Sequence, residues 1–242
     1  MNISLRAGRK EELNKYLVSA IVSTYNAERF IHGRLQNLID QTLYKKNRLE
    51  IIVIDSNSPQ NEKQIVDEFK SKFDHIVYLR TSERETVYKA WNRGIQLSRG
   101  KYIINANADD RFTMDALDCM ADILDTNPDL DALYGDWLIT ETENDTFESE
   151  TKKIICSYPE FFPPLFFYYQ ITSHAVFIRK EVFGQIGLYN EKFKIFGDRE
   201  LMHRFSIHGC KAKIISRLVG LYLQNPTGLE RLYNEIKQKR IF

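Results

Sequence analysis

Strand-like runs that alternate with helical stretches predict an α/β domain with a largely parallel sheet and helices on both faces. Three observations carry that reading. Apolar, β-branched runs of strand length recur at Leu17 to Thr24, Leu49 to Ile54, Ile76 to Leu79 and Tyr102 to Ala106. Each is followed by a segment whose apolar residues fall at helical spacing. The connections between them are short.

In chain order, residues 1–16 form a charged lead-in. The first strand, Leu17 to Thr24, is broken by Tyr25-Asn26, and Ala27 to Gln41 then sets Phe30, Ile31, Leu35, Leu38 and Ile39 on one helical face. The second strand closes in the turn cluster Asp55-Ser56-Asn57-Ser58-Pro59. Glu62 to Lys72 is helical, and so is Thr86 to Leu97, which stops near Arg99-Gly100. After the fourth strand come a helix over Thr113 to Leu124 and a strand over Ala132 to Ile139. Beyond residue 140 the alternation lapses. Thr140 to Lys153 reads as an acidic loop or hairpin tip, followed by the aromatic-proline segment Phe161 to Tyr169. A strand (Ala175 to Ile178), two helices (Lys180 to Ile186 and Asp198 to His208) and a last strand (Lys213 to Leu221) complete the pattern.

Composition narrows the function classes. A formal net charge of +1 gives no footprint for nucleic acid. Cys119, Cys156 and Cys210 are too scattered for a zinc signature or a disulfide framework, which fits a reducing compartment. No apolar stretch reaches the roughly 20 residues that span a bilayer. Met1 to Tyr16 has no apolar signal core, so a cytoplasmic location is expected.

The chemistry concentrates after the fourth strand, in Asn105-Ala106-Asn107-Ala108-Asp109-Asp110. Ligands of open α/β sheets bind at the carboxyl ends of strands, and carboxylates gathered there suit a hard divalent cation that holds a phosphorylated substrate. The other reading of Asp110 is a cap for the next helix. The first strand ends in Ser23-Thr24-Tyr25-Asn26 without a glycine, so a dinucleotide fingerprint is absent, as is a phosphate-binding P-loop. A cation at Asp109 is the natural substitute for a glycine cradle.

These residues resemble glycosyltransferase family 2. The stretches that carry the resemblance are Val22 to Asn26 with its helix to Thr42, Ile51 to Ser58, Ala90 to Ile95 with Ser98 to Tyr102, Asn107 to Asp110, and Phe196 to Leu201 with Arg204. The resemblance implies the GT-A fold, a Rossmann-like α/β/α sandwich with a mostly parallel central sheet, over residues 17–225. The donor half runs to about 139, the acceptor and catalytic half follows from 140, and 226–242 is a tail. It implies inverting transfer of a sugar from a UDP-, GDP- or dTDP-sugar to a hydroxyl of a glycan or lipid-linked acceptor, with Mg²⁺ or Mn²⁺, in surface polysaccharide or lipopolysaccharide assembly.

Residue by residue, the resemblance places Ser23 and Tyr25 against base and ribose. Asp55 is expected to bond base or ribose, or else to cap its own turn. Glu83-Arg84-Glu85 and the helix bearing Trp91 and Asn92 lie beside the donor's sugar and diphosphate, Arg84 meeting phosphate or simply solvated. Asn107 stands where the family most often has the first Asp of Asp-x-Asp and can accept a ribose hydrogen bond. Asp109 coordinates the cation, and Asp110 does so through water or caps. Asp198 is the implied catalytic base, with an N-cap as its bland alternative and Glu200 as a weaker candidate; Arg204 pairs with one of the two acids. His174 contacts the diphosphate, ligates the metal or is structural. Phe161 to Tyr169 shapes the acceptor side, completes the core, or touches a membrane with help from Lys237, Lys239 and Arg240. Two competing classes remain. A sugar nucleotidyltransferase would show a glycine-rich basic loop near its start. A silent nucleotide-sugar or glycan-binding domain would not need both Asp109 and Asp198.

Overall fold

A computed structural model describes residues 15–164, 172 and 175–225. The strands are β1 (Tyr16–Thr24), β2 (Leu49–Asp55), β3 (Ile76–Arg80), β4 (Gly100–Asn105), β5 (Arg111–Phe112), β6 (Ala132–Thr140), β7 (Lys153–Cys156), β8 (Phe177–Arg179) and β9 (Ala212–Leu223). The helices are α1 (Glu28–Ile39), α2 (Thr42–Lys45), α3 (Glu62–Lys70), α4 (Val87–Leu97), α5 (Ala116–Thr126), α6 (Val182–Ile186) and α7 (Gly197–Ile207). All strands join one curled sheet in the order β3-β2-β1-β4-β8-β6-β9-β5, with β7 paired to β6.

The first half of the sheet is parallel throughout: β3, β2, β1 and β4 lie side by side in one direction. The other half is mixed. β8 is antiparallel to both β4 and β6, while the long β6–β9 pairing is parallel. Period-2 alternation sends Ala20 and Val22 of β1 to one face and Ile21 to the other. The first face is covered by α1, α3 and α5 through Leu35, Leu38, Val66, Phe69 and Leu117. The second is covered by α4, α6 and α7 through Trp91, Ile95, Phe183, Leu201 and Phe205. Full burial of a leucine such as Leu35 contributes about 1.5–3 kcal/mol. A Cβ at Gly94 would lie 2.4 Å from Ile21, so α4 sits close on β1 only because that side chain is missing.

Some boundaries differ from the pattern-based expectation. β4 ends at Asn105, which leaves Ala106 in the functional turn. The helix expected from Thr113 begins at Ala116, because Arg111 and Phe112 first pair with Leu221 and Gly220 of β9. The polar stretch after Thr140 is the tip of the β6–β7 hairpin. Its centre is Asp145, whose carboxylate accepts from Thr140, Ser149 and Thr151; these bonds hold it at about pH 2, below the usual carboxylate range, despite burial.

Chain direction fixes where a ligand fits. From β1 the chain moves outward to β2 and β3, then returns to the other side of β1 as β4. The carboxyl ends of β1 and β4 therefore flank the point where strand order reverses, where open α/β sheets leave a crevice.

Candidate active site

The turn after β1 forms without glycine because Asn26 takes the left-handed conformation itself, at φ 52°. Its N–H donates to Ser58 Oγ at 2.9 Å, and Ala27 N–H donates to Glu62 Oε1 at 2.7 Å. Tyr25 is half-buried, with the Arg84 guanidinium 4.1 Å from its ring centre. Ser23 lies beside it at the end of β1, half-buried. Of the charged run Glu83 to Glu85, Arg84 reaches this edge, while Glu85 takes a bidentate bond from Arg93 at 2.6 Å and pairs with Lys89.

Asp55 is wholly buried. Its Oδ1 accepts from Ser58 N–H at 2.7 Å; its Oδ2 accepts from Tyr78 at 2.6 Å and from Arg80 at 2.7 Å. This is the turn-capping role, extended by Arg80 to Asn57 and to the Ser58 carbonyl.

In the turn after β4, Asn107 donates to Asp110 Oδ2 at 3.2 Å and its carbonyl accepts from Arg34 Nε at 2.7 Å. Asp110 is buried, and its Oδ1 accepts from Leu223 N–H at 3.3 Å. It clasps the turn to β9 and caps no helix, since the residue before α5 is Asp115. Asp109 keeps partial exposure. Burial, and then the neighbouring Asp110, push its carboxyl up to about 6. Two guanidiniums offset this pair from behind. Arg111 bonds the carbonyls of Ala108 and Asp110 and the side chain of Asn144. Arg34 is fully buried against Phe112, pushed down to about 9 by burial and then by Arg111. The signal for Arg34 was present in the sequence as a charged residue on the apolar stripe of α1, between Ile31 and Leu38.

A carboxylate raised by burial and a like charge gains from a cation. Among the described residues no group of three or more His, Cys, Asp or Glu converges. Asp109 alone could give a hard divalent ion one carboxylate ligand here.

Asp198 lies in the first turn of α7, where a carboxylate suits the helix dipole. It is not the cap: the N-cap is Phe196, in the left-handed conformation at φ 62°. Tyr88 of α4 donates to Asp198 Oδ1 at 3.4 Å. A Cβ at Gly197 would lie 2.8 Å from the Tyr88 ring, so glycine lets α7 start against it. Glu200 is committed to Arg204, which bonds it at 2.6 and 2.9 Å and also holds the Ile186 and Leu188 carbonyls.

Asn92 spends its amide within the chain. Its amide nitrogen donates to the Tyr189 carbonyl at 2.8 Å and to Glu191 at 3.0 Å, and its oxygen accepts from Tyr189 N–H at 2.9 Å. Buried and fully engaged, it latches residues 189–191 to α4. His174, Lys237, Lys239 and Arg240 lie outside the described residues.

The profile of glycosyl transferase family 2 matches residues 19–187. The chain belongs to that family. An uncharacterized glycosyltransferase of Methanocaldococcus jannaschii is 25% identical over 87% of this chain and 72% of its own length. The PGL/p-HBAD biosynthesis glycosyltransferase of Mycobacterium bovis is 24% identical over 75% of this chain and 66% of its own. Among solved structures, S. aureus TarS in complex with UDP superposes with a TM-score of 0.69 at 19% identity, covering 90% of this chain and 62% of TarS. The mannosyltransferase PcManGT of Pyrobaculum calidifontis, in complex with GDP-Man and Mn²⁺, gives 0.65 at 16% identity, with 87% and 58% covered. The family 2 fold is thus shared, and this chain spans under two thirds of these structural neighbours.

Proposed function

We propose that this family 2 domain transfers a sugar from a nucleoside-diphosphate sugar to a hydroxyl, with inversion at the anomeric carbon. The supporting observation is that the raised, partly exposed carboxylate of Asp109 stands at the sheet's reversal point. Tyr25 and Arg84 form a stacked pair at the end of the adjoining β1.

In this reading Ser23 and Tyr25 hold base and ribose, Arg84 adds positive charge near the phosphates, and Asn107 accepts a ribose hydroxyl. Asp55 shapes the base pocket through Arg80 and residues 56–58. Asp109 would hold Mg²⁺ or Mn²⁺, which when bound neutralises charge on the departing diphosphate. Asp198 takes the proton of the acceptor hydroxyl as its oxygen bonds the anomeric carbon and the bond to the diphosphate oxygen breaks on the opposite side. A single displacement of this kind inverts the centre. Relatives named for PGL/p-HBAD biosynthesis and as a poly(ribitol-phosphate) beta-glucosyltransferase support a cell-surface polymer as acceptor.

The test is a thermal-shift screen of UDP-, GDP- and dTDP-sugars with and without Mn²⁺. Binding to the native state raises apparent stability, so one nucleotide class should raise Tm only when the cation is present. No shift with any donor contradicts the reading. Donor binding without hydrolysis or transfer favours a silent binding domain.

A further inference from the structure

We infer that Tyr88 is a positioning residue for Asp198, held in place by a buried pairing of Tyr189 with Asn105. The inference rests on Asp198 being the base. Four contacts carry it. Tyr88 donates to Asp198 Oδ1 at 3.4 Å. The Tyr88 ring stacks on Tyr189, with centroids 5.8 Å apart and planes 22° apart. The hydroxyl of Tyr189 accepts from Asn105 Nδ2 at 2.8 Å. Gly197, one residue before Asp198, leaves its Cβ position to the edge of the Tyr88 ring.

Asn105 is the last residue of β4, immediately before the turn that bears Asp109. A polar amide at the end of a buried strand is costly unless bonded; the nitrogen of this one is spent on a tyrosine that packs between β4 and α4, while its oxygen is buried without a partner. Trp91 closes the cluster, 5.1 Å from Tyr189 and 5.4 Å from Tyr88. The Asn92 latch fixes the backbone of the same Tyr189. The cluster thus runs without a gap from the donor turn to the candidate base. Burial, with Asp198 beside it, pushes the Tyr88 phenol up and keeps it a hydrogen-bond donor to a carboxylate at working pH. A carboxylate must point at the hydroxyl it deprotonates, and a donor on one oxygen orients the other.

The experiment is a double-mutant cycle of Tyr88→Phe and Asp198→Asn, read as kcat and KM for turnover of UDP-GlcNAc or GDP-mannose, with Tm for each variant. Tyr88→Phe keeps ring and stack and loses only the hydroxyl. The expected result is a roughly fivefold lower kcat, the scale of one hydrogen bond, with donor KM and Tm unchanged, and no further loss when Tyr88→Phe is added to Asp198→Asn. Tyr189→Phe, which frees Asn105, should lower kcat in the same direction and also act only in the presence of Asp198. The inference is overturned if Tyr88→Phe slows the Asp198→Asn variant by the same factor as wild type, or if it raises donor KM and lowers Tm along with kcat. Wild-type turnover in Asp198→Asn would instead remove the base assignment itself, and the inference with it.

Discussion

Burial, and then Asp110, oppose ionisation of Asp109 and push its carboxyl up to about 6. Its folded-state value lies above the ordinary 3.8. The resulting stability is fully present below that ordinary value and is lost as pH rises through about 6. A cation needs the ionised form, so the cation-induced rise in Tm should be larger at pH 7.5 than at pH 5. Equal rises at both values contradict the assignment. At Asp198 the expected effect is on rate: loss of a general base costs about 10²–10⁴, so Asp198→Asn should fold, bind donor normally and turn over that much more slowly. Near-normal turnover moves the base elsewhere, with Glu200, whose carboxylate is paired with Arg204, tested next. Residue types at the end of the fourth strand point to Asp109, and the family resemblance points to Asp198. The resemblance ranks Asp109 ahead of Asp110 as the cation ligand, but the bond that ties Asp110 to Leu223, remote in sequence, is not legible in it. The partners of Asn92 are not legible for the same reason: they lie nearly a hundred positions downstream, at 189 and 191.

At the scale of elements, the first four strands and their helices were legible because each carries its own periodic apolar face. β5 was not, since two residues hold no period and the pairing with β9 alone defines it. α1 shows how an element serves both fold and site. Leu35 and Leu38 anchor it to the core, while Arg34 on the same stripe reaches the carbonyl of Asn107. Leu35→Ala should cost about 2–5 kcal/mol in denaturant unfolding; a loss under 1 kcal/mol would show that α1 is not seated as described. The aromatic-proline segment divides at its start. Phe161 packs edge-on against Phe205 of α7 at 5.7 Å, while Phe162 is 55% exposed. Phe161→Ala should therefore lower stability by roughly 1–3 kcal/mol. Phe162→Ala should leave Tm and donor affinity alone and raise acceptor KM. If Phe162→Ala behaves as wild type towards acceptor, the acceptor surface lies elsewhere.

Across the whole molecule, a parallel first half is joined through β8 to a mixed second half, and the proposed site residues stand where the two meet. β1 and β4 supply the turns that bear Tyr25 and Asp109, β9 clasps Asp110, and α7 brings Asp198 against α4. The central claim is that Asp109 links cation and donor. Calorimetric titration of wild type and Asp109→Ala with UDP-GlcNAc and GDP-mannose, with Mn²⁺ and with EDTA, tests it most directly. One donor should bind wild type only with Mn²⁺ and fail to bind Asp109→Ala, whose Tm without ligands should stay near wild type. Cation-independent binding of equal affinity to both proteins would contradict it.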